Sequence, residues 1–505
     1  MTARHCRAVL TVLLALTAGC TRQKEDSLDL KVHIPKVNLQ LDPHRMEDAY
    51  SMMIVGQLYR GLLRFNSDGD VVPDLAASWK ESTDKKSYVF KLRDATFSNG
   101  EKITAQNVQM SFARIFLLSA GMAADLDYIK GAKEFIASKN LSDLGVRVLS
   151  DTEVGFELAH PSALFLKHVA VIDCGIMPFH TLAESAGAPK AFSGPYKIAS
   201  ESPTEVDVVK WRSDALESKH PPRRISFFGT SELGVALAAS GKTDSLDREP
   251  LTLNQRKELE AKGWGASPTE LTGESFIVLN PSFIPDELRR YLYSKVDPEK
   301  ATAIFNEPQY KAAYGVIPTG FPGVLSKAEL ASVKDENPTY HGKRVSFELD
   351  YDPSADFDAR IVEYLKTVWP SDLIDVRFNP LSKAKKLKRL FAKTSQAVIG
   401  RKAVDYPDGY SVLTYFKGKY ESNYFHVDDP AIDASINESL KEFDVKKRAE
   451  LYKKIQVQIL RKYTTIPILF GAQASGFWSN KIKTVPSHPM GYHTMPFETI
   501  EMRAE

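Results

Sequence analysis

What this chain of 505 residues lacks narrows its possibilities quickly. Its three cysteines, Cys6, Cys20 and Cys174, are too few for a disulfide scaffold or a thiolate metal cluster. Beyond residue 19 no stretch approaches the roughly 18 consecutive apolar residues that a spanning helix requires. The net charge of +2 provides no global field for nucleic acid. The one basic run, 383–389, reads as the solvated face of a helix. Catalytic motifs are missing too. Ser240-Gly241-Lys242-Thr243 ends like a phosphate loop, but Gly234 lies two residues too far upstream and a helix leads in. There is no HExxH and no GxSxG, and His488 and His493 have only acids nearby as further ligands. Cys174 sits in an apolar segment as a small hydrophobe would. Neither an enzyme nor a metal or cofactor carrier is expected.

The composition that is present, 43% hydrophobic and 26% charged, is that of an ordered globular protein. The length exceeds what one hydrophobic core serves, so two or three domains are expected. Arg4 and Arg7 followed by the apolar run 8–18 make an export signal. Thr17-Ala18-Gly19 before Cys20 resembles the lipobox of bacterial lipoproteins, with Thr17 in place of the more usual Leu. The resemblance implies removal of 1–19, a lipidated and acylated Cys20, and a tether over 20–30. Cys6 would leave with the signal, so Cys174 would remain without a disulfide partner. Two or more acyl chains give stable anchoring, each buried methylene adding roughly 0.8 kcal/mol.

Along the chain, 31–41 alternates as a first strand until Pro43 breaks the pattern, and a helix follows from Asp48. Asp68-Gly69 and Asn99-Gly100 are turns. Between them, 87–93 alternates as a strand with one buried face. Thr104 can cap a helix carrying Val108, Phe112 and Ile115. Further strands are expected at 152–158, 206–210, 224–228 and 276–280. The second half reads strand 345–349, helix 357–368, strand 374–378, helix 383–391, strand 397–399. That β-α-β-α-β order predicts an α/β lobe with parallel pairing. Helix 445–462 and the buried strand 466–470 close the series. The stretch AVIGRKAVDYPDGY, 397–410, ends in a Pro407-Asp408-Gly409 turn and places one acid, Asp405, just before it.

The run GLLRFNSDGDVVPDLAASWKES, followed by SYVFKLRDATFSNGEKITAQNVQMSFARI, resembles the family 5 extracellular solute-binding proteins of bacterial ABC importers. The oligopeptide-binding branch is the nearest in pattern, through LDPHRMED at 41–48, Ser193-Gly194-Pro195-Tyr196, Asp405 and Asp429-Pro430-Ala431-Ile432-Asp433. The resemblance implies an α/β, periplasmic-binding-protein-like type II fold. Two lobes enclose a cleft, and an extra α/β domain is inserted in lobe I. Lobe I is expected from 31–59, 190–278 and 477–505, the inserted domain from 60–189, and the ligand-closing lobe II from 279–476. It further implies a monomeric, lipid-anchored, extracytoplasmic receptor that closes on a peptide and delivers it to an inner-membrane ABC permease.

By the same resemblance Asp405 falls on the Asp of the family's "W..DY" stretch, which pairs with the peptide's protonated amine. The family's Trp is replaced by Lys402, which loses an indole wall and adds a cation. The position that carries a ligand-facing Arg in the oligopeptide branch is Ile399, with Arg401 a weak substitute. Glu47, Asp48 and Ala49 are implied to offer backbone pairing to the peptide, with Glu47 near its amine end. Read from the residues alone, Glu47 and Asp48 are first-turn helix acids. Tyr406 is expected as core packing or as a ligand contact. Relatives that bind metal chelates, haem or sugars leave a non-peptide solute open, as does a peptide sensor without transport.

Overall fold

Apolar side chains two residues apart set the strand Ser87–Leu92, in which Tyr88, Phe90 and Leu92 are buried and Lys91 is exposed. In this computed structural model it pairs antiparallel with Ala76–Glu81 on one side and Glu153–Glu157 on the other. Val146–Ser150 completes a four-stranded sheet. Helix Ala105–Leu117 covers the sheet with Val108, Phe112 and Ile115, each ring or branched side chain contributing roughly 1.5–3 kcal/mol of burial. Its first turn is closed by Thr104, whose N–H donates to Asn107 Oδ1 at 2.8 Å. Residues 28–503 are described, except 35–38, 47, 120, 188, 190, 214–215, 231, 247–252, 267–272, 307–309, 334–337, 370, 419–422, 472–475 and 489.

A seven-stranded sheet draws on three separate parts of the chain. Its order is Gly265–Ala266, Phe477–Trp478, Ser245–Leu246, Asp29–His33, Arg224–Phe228, Glu205–Lys210, Tyr196–Glu201. Asp29–His33 runs parallel to Arg224–Phe228, and Leu28 is already buried. The sheet therefore begins inside the segment expected as tether, and the first strand ends eight residues before the expected 41. Beyond the strand, Asp42 forms a buried ion pair with Arg114, whose Nη1 donates at 2.8 Å. The signal segment and Cys20 lie outside the described residues.

The second sheet has six strands, in the order Tyr310–Ala312, Thr465–Gly471, Gly273–Leu279, Ala397–Ala403, Val345–Tyr351, Ile374–Pro380. The expected alternation is present, with helices Asp356–Val368 and Lys383–Phe391 between strands. Val345–Tyr351 is parallel to both Ile374–Pro380 and the start of Ala397–Ala403. Gly273–Leu279 is hydrogen-bonded along its whole length into this sheet, so the boundary expected after 278 falls inside a strand. The run 383–389 is not a uniformly solvated face either, because Lys386 is buried against Asp358.

Apolar residues of the 62–191 region and of the second sheet pack into one core, and the first sheet has another around Met53, Tyr196 and Phe497. Among the described residues no helix is long and apolar enough to cross a membrane.

Candidate functional site

Strand Ala397–Ala403 buries its first four residues and surfaces over its last three, so the chain emerges from the second sheet beside the first lobe. Val404 and Tyr406 turn inward, and Asp405 between them turns out. The turn that follows is held from within. Asp408 is fully buried and accepts from Tyr410 N–H, the Tyr452 hydroxyl and Lys167 Nζ, with Arg448 beside it. Burial alone would raise its carboxyl, but the charges of Lys167 and Arg448 outweigh it and hold the group below the usual carboxylate range. Gly409 lets the turn close, since a Cβ there would come within 2.6 Å of Ile317 and 2.7 Å of the Pro322 carbonyl. Asp405 N–H donates to Ser411 Oγ at 3.1 Å, which ties its backbone to the turn that follows.

The opposite wall is built around the end of helix Ala49–Leu58. The Ser193-Gly194-Pro195-Tyr196 stretch clamps that end: Gly194 N–H donates to Leu58 O at 2.8 Å, and Ser193 Oγ accepts from Arg60 N–H at 3.0 Å. Arg60 turns back onto its helix, donating to Gly56 O at 2.8 Å and pairing with the buried Glu498. Its charge is thus neutralised inside the wall. Between the two walls lies a cavity of about 70 Å³, open on one side. Its lining combines apolar Met52, Tyr59 and Met490 with polar Arg64, Asp173 and Asp405. An apolar cavity with a few converging polar groups at a lobe interface is where a small ligand is bound most readily.

Charges of both signs line this cavity, Asp74, Asp173 and Asp405 with Arg60 and Arg64, and Lys402 stands beside Asp405. Asp405 is 53% exposed at its side chain, and its Oδ2 accepts from Lys402 Nζ at 3.3 Å and from the Tyr415 hydroxyl at 3.0 Å. Asp173 is pushed up to about 7 by burial and by the charge of Asp405. Asp125 is raised to about 7 for the same two reasons, against Lys417 and Lys402. Glu274, opposite Lys402 on the neighbouring strand, is raised well above its ordinary value by burial. The arrangement can hold a polar or cationic group, and among the described residues no cluster of His, Cys, Asp and Glu could hold a metal ion.

The residues named from sequence divide clearly. Asp405 and Lys402 come together, with Asp405 on the cavity. Tyr406 does not contact it: the ring is buried and packs edge-on against His168, 4.9 Å between centroids. Asp48 is the cap of helix Ala49–Leu58, accepting from Tyr50 N–H, Ser51 N–H and Ser51 Oγ, and Ala49 is that helix's first residue. Neither lines the cavity. Glu47 lies outside the described residues. Ile399 is buried, and Arg401 stacks 3.9 Å above the Phe357 ring on the other face of the strand. Arg60, Asp173, Tyr415 and Glu274 went unnoticed in the sequence. Arg60 alone had a usable signal, since it immediately precedes the family-like run at Gly61.

This fold and this interlobe cavity define a solute receptor. Residues 70–424 match the bacterial extracellular solute-binding proteins, family 5 Middle, and the chain belongs to that family. It is a binding protein rather than an enzyme. The chain is 24% identical to the oligopeptide-binding protein OppA of Bacillus subtilis (strain 168) over 492 residues, 87% of each chain. Its fold superposes on Haemophilus influenzae OppA, solved in complex with RPPGFSPFR, with a TM-score of 0.75. The identity there is 18%, covering 95% of this chain and 99% of the other. It also superposes on AgaA of A. tumefaciens R10, solved in complex with agropinic acid, with a TM-score of 0.73 and 18% identity. The match covers 94% of this chain and 99% of that one. The architecture is the type II periplasmic-binding-protein fold of these structures.

Proposed function

We propose that this protein captures peptides in the cavity between its two sheets and delivers them to an ABC permease in the inner membrane. The observation that carries the reading is Asp405, a half-exposed carboxylate presented by one lobe to a largely apolar cavity whose other wall belongs to the other lobe. A peptide needs such an acceptor at its amine end, apolar surface along its side chains, and walls able to close over it. The oligopeptide-binding relatives supply the ligand class. Mass spectrometry of ligand released from the purified protein tests it. A series of short peptides is the expected result, whereas one uniform non-peptide compound, an opine for example, would overturn the reading.

In this reading Cys20 carries the lipid that holds the receptor at the membrane. Cys20→Ala is expected to move the protein from the membrane pellet to the soluble fraction on cell fractionation. An unchanged distribution would rule out the anchor.

A further inference from the structure

The carboxylate that would receive a ligand's amine already has an ammonium on it. Lys402 Nζ lies 3.3 Å from Asp405 Oδ2 and 3.2 Å from the centroid of the Tyr415 ring, whose hydroxyl donates to the same oxygen. A cation seated on a carboxylate and over an aromatic face is placed as the charged end of a peptide would be. Lys402 is also held there. Its side chain is only 11% exposed. Across the strand pair sits Glu274, 2% exposed, whose Oε1 has no partner among the described residues. Directly opposed residues of an antiparallel pair share one face, so Glu274 and Lys402 are neighbours.

Burial raises the Glu274 carboxyl and disfavours its charge, and the carboxylate in contact with Lys402 is Asp405, the first of the groups opposing the downward pull of burial on the ammonium. A free amine arriving at Asp405 therefore meets a carboxylate that is already neutralised and a like charge that has nowhere to go. A blocked amine end, an amide N–H, meets an acceptor and no repulsion.

Building on the peptide-binding reading, we propose that Lys402 is the specificity-determining residue of this site. It is a built-in substitute for the ligand's ammonium that opens the cavity to peptides whose amino end is blocked.

The test uses the full chain, a pool of tri-, tetra- and penta-alanine, and the same pool N-acetylated, with binding read by calorimetry. Wild type is expected to bind the acetylated pool at least as tightly as the free-amine pool. Lys402→Met is expected to favour the free-amine pool by about tenfold or more, the scale of one charge-assisted contact. Lys402→Gln carries the same expectation if the methionine variant does not fold. A wild-type protein that already prefers the free pool tenfold, with the ratio unmoved in the variants, overturns the assignment while leaving peptide binding intact. Failure of every protein to bind either pool overturns the peptide reading, and the assignment with it.

Discussion

Three donors converge on the carboxylate of Asp408: Lys167 Nζ at 2.9 Å, the Tyr452 hydroxyl at 2.7 Å and Tyr410 N–H at 3.1 Å, with Arg448 Nη2 at 3.6 Å. Lys167 also donates to Pro407 O at 2.7 Å, so one lysine from the 60–189 region grips two successive residues of the turn. Removing the acid strands two cations, one of them buried at 4% side-chain exposure. Breaking a buried pair on one side costs about 3–5 kcal/mol, and Asp408→Ala is expected to lose that much in denaturant unfolding at pH 7. The pH dependence has a definite sign. The native carboxyl titrates below its ordinary 3.8, so the stabilisation is complete above that value and is lost as pH falls through the native one. The gap between wild type and Asp408→Ala should accordingly narrow on acidification below about pH 4. A gap that is constant with pH would show that packing, not charge, makes the contribution.

At the level of elements, what could be read was whatever obeyed a local period. Arg224–Phe228 and Lys383–Phe391 fall at their expected bounds because each has one apolar face and clear breakers at its ends. Ala397–Ala403 runs four residues beyond the expected 399, since polar Arg401 and Lys402 hide a strand whose partner, Gly273–Leu279, supplies the pairing. That extension decides the site: it places Lys402 in register with Glu274 and within reach of Asp405. Asp405 itself could be found from a motif, and so could the oddity of Lys402. The ring that seats Lys402 could not, because Tyr415 looks like one more aromatic in an apolar stretch. Gln456 was equally opaque. On helix Val445–Leu460 it reads as a polar residue on a buried face, yet its Oε1 accepts from Val316 and Ile317 N–H at 3.0 Å each, and its Nε2 donates to Gly323 O. Such partners lie more than a hundred residues away, and no local period reports them.

For the molecule as a whole, the cavity joins the core of the first sheet to the core shared by the 62–191 region and the second sheet. Met52 and Tyr59 belong to the first lobe, Asp173 to the 60–189 region, Asp405 to the second sheet, and Met490 to the C-terminal return. A ligand that bridges them binds only the folded, assembled chain and must raise its stability by mass action. Peptide at about 100 times its dissociation constant is expected to add roughly 2.7 kcal/mol, visible as a rise in Tm. The bridge has one charged foot in the second sheet. Losing it removes the acceptor for the ligand's amino end, and for a half-exposed carboxylate a loss of about 1.5–3 kcal/mol in binding is expected. At the same peptide concentration the stabilisation of Asp405→Ala should then fall to about 0.3–1.3 kcal/mol. The comparison is made by thermal shift on both proteins with one peptide stock. An equal rise in the two would place the anchor elsewhere on the cavity wall, and a rise in neither would mean that the peptide does not bridge the lobes at all.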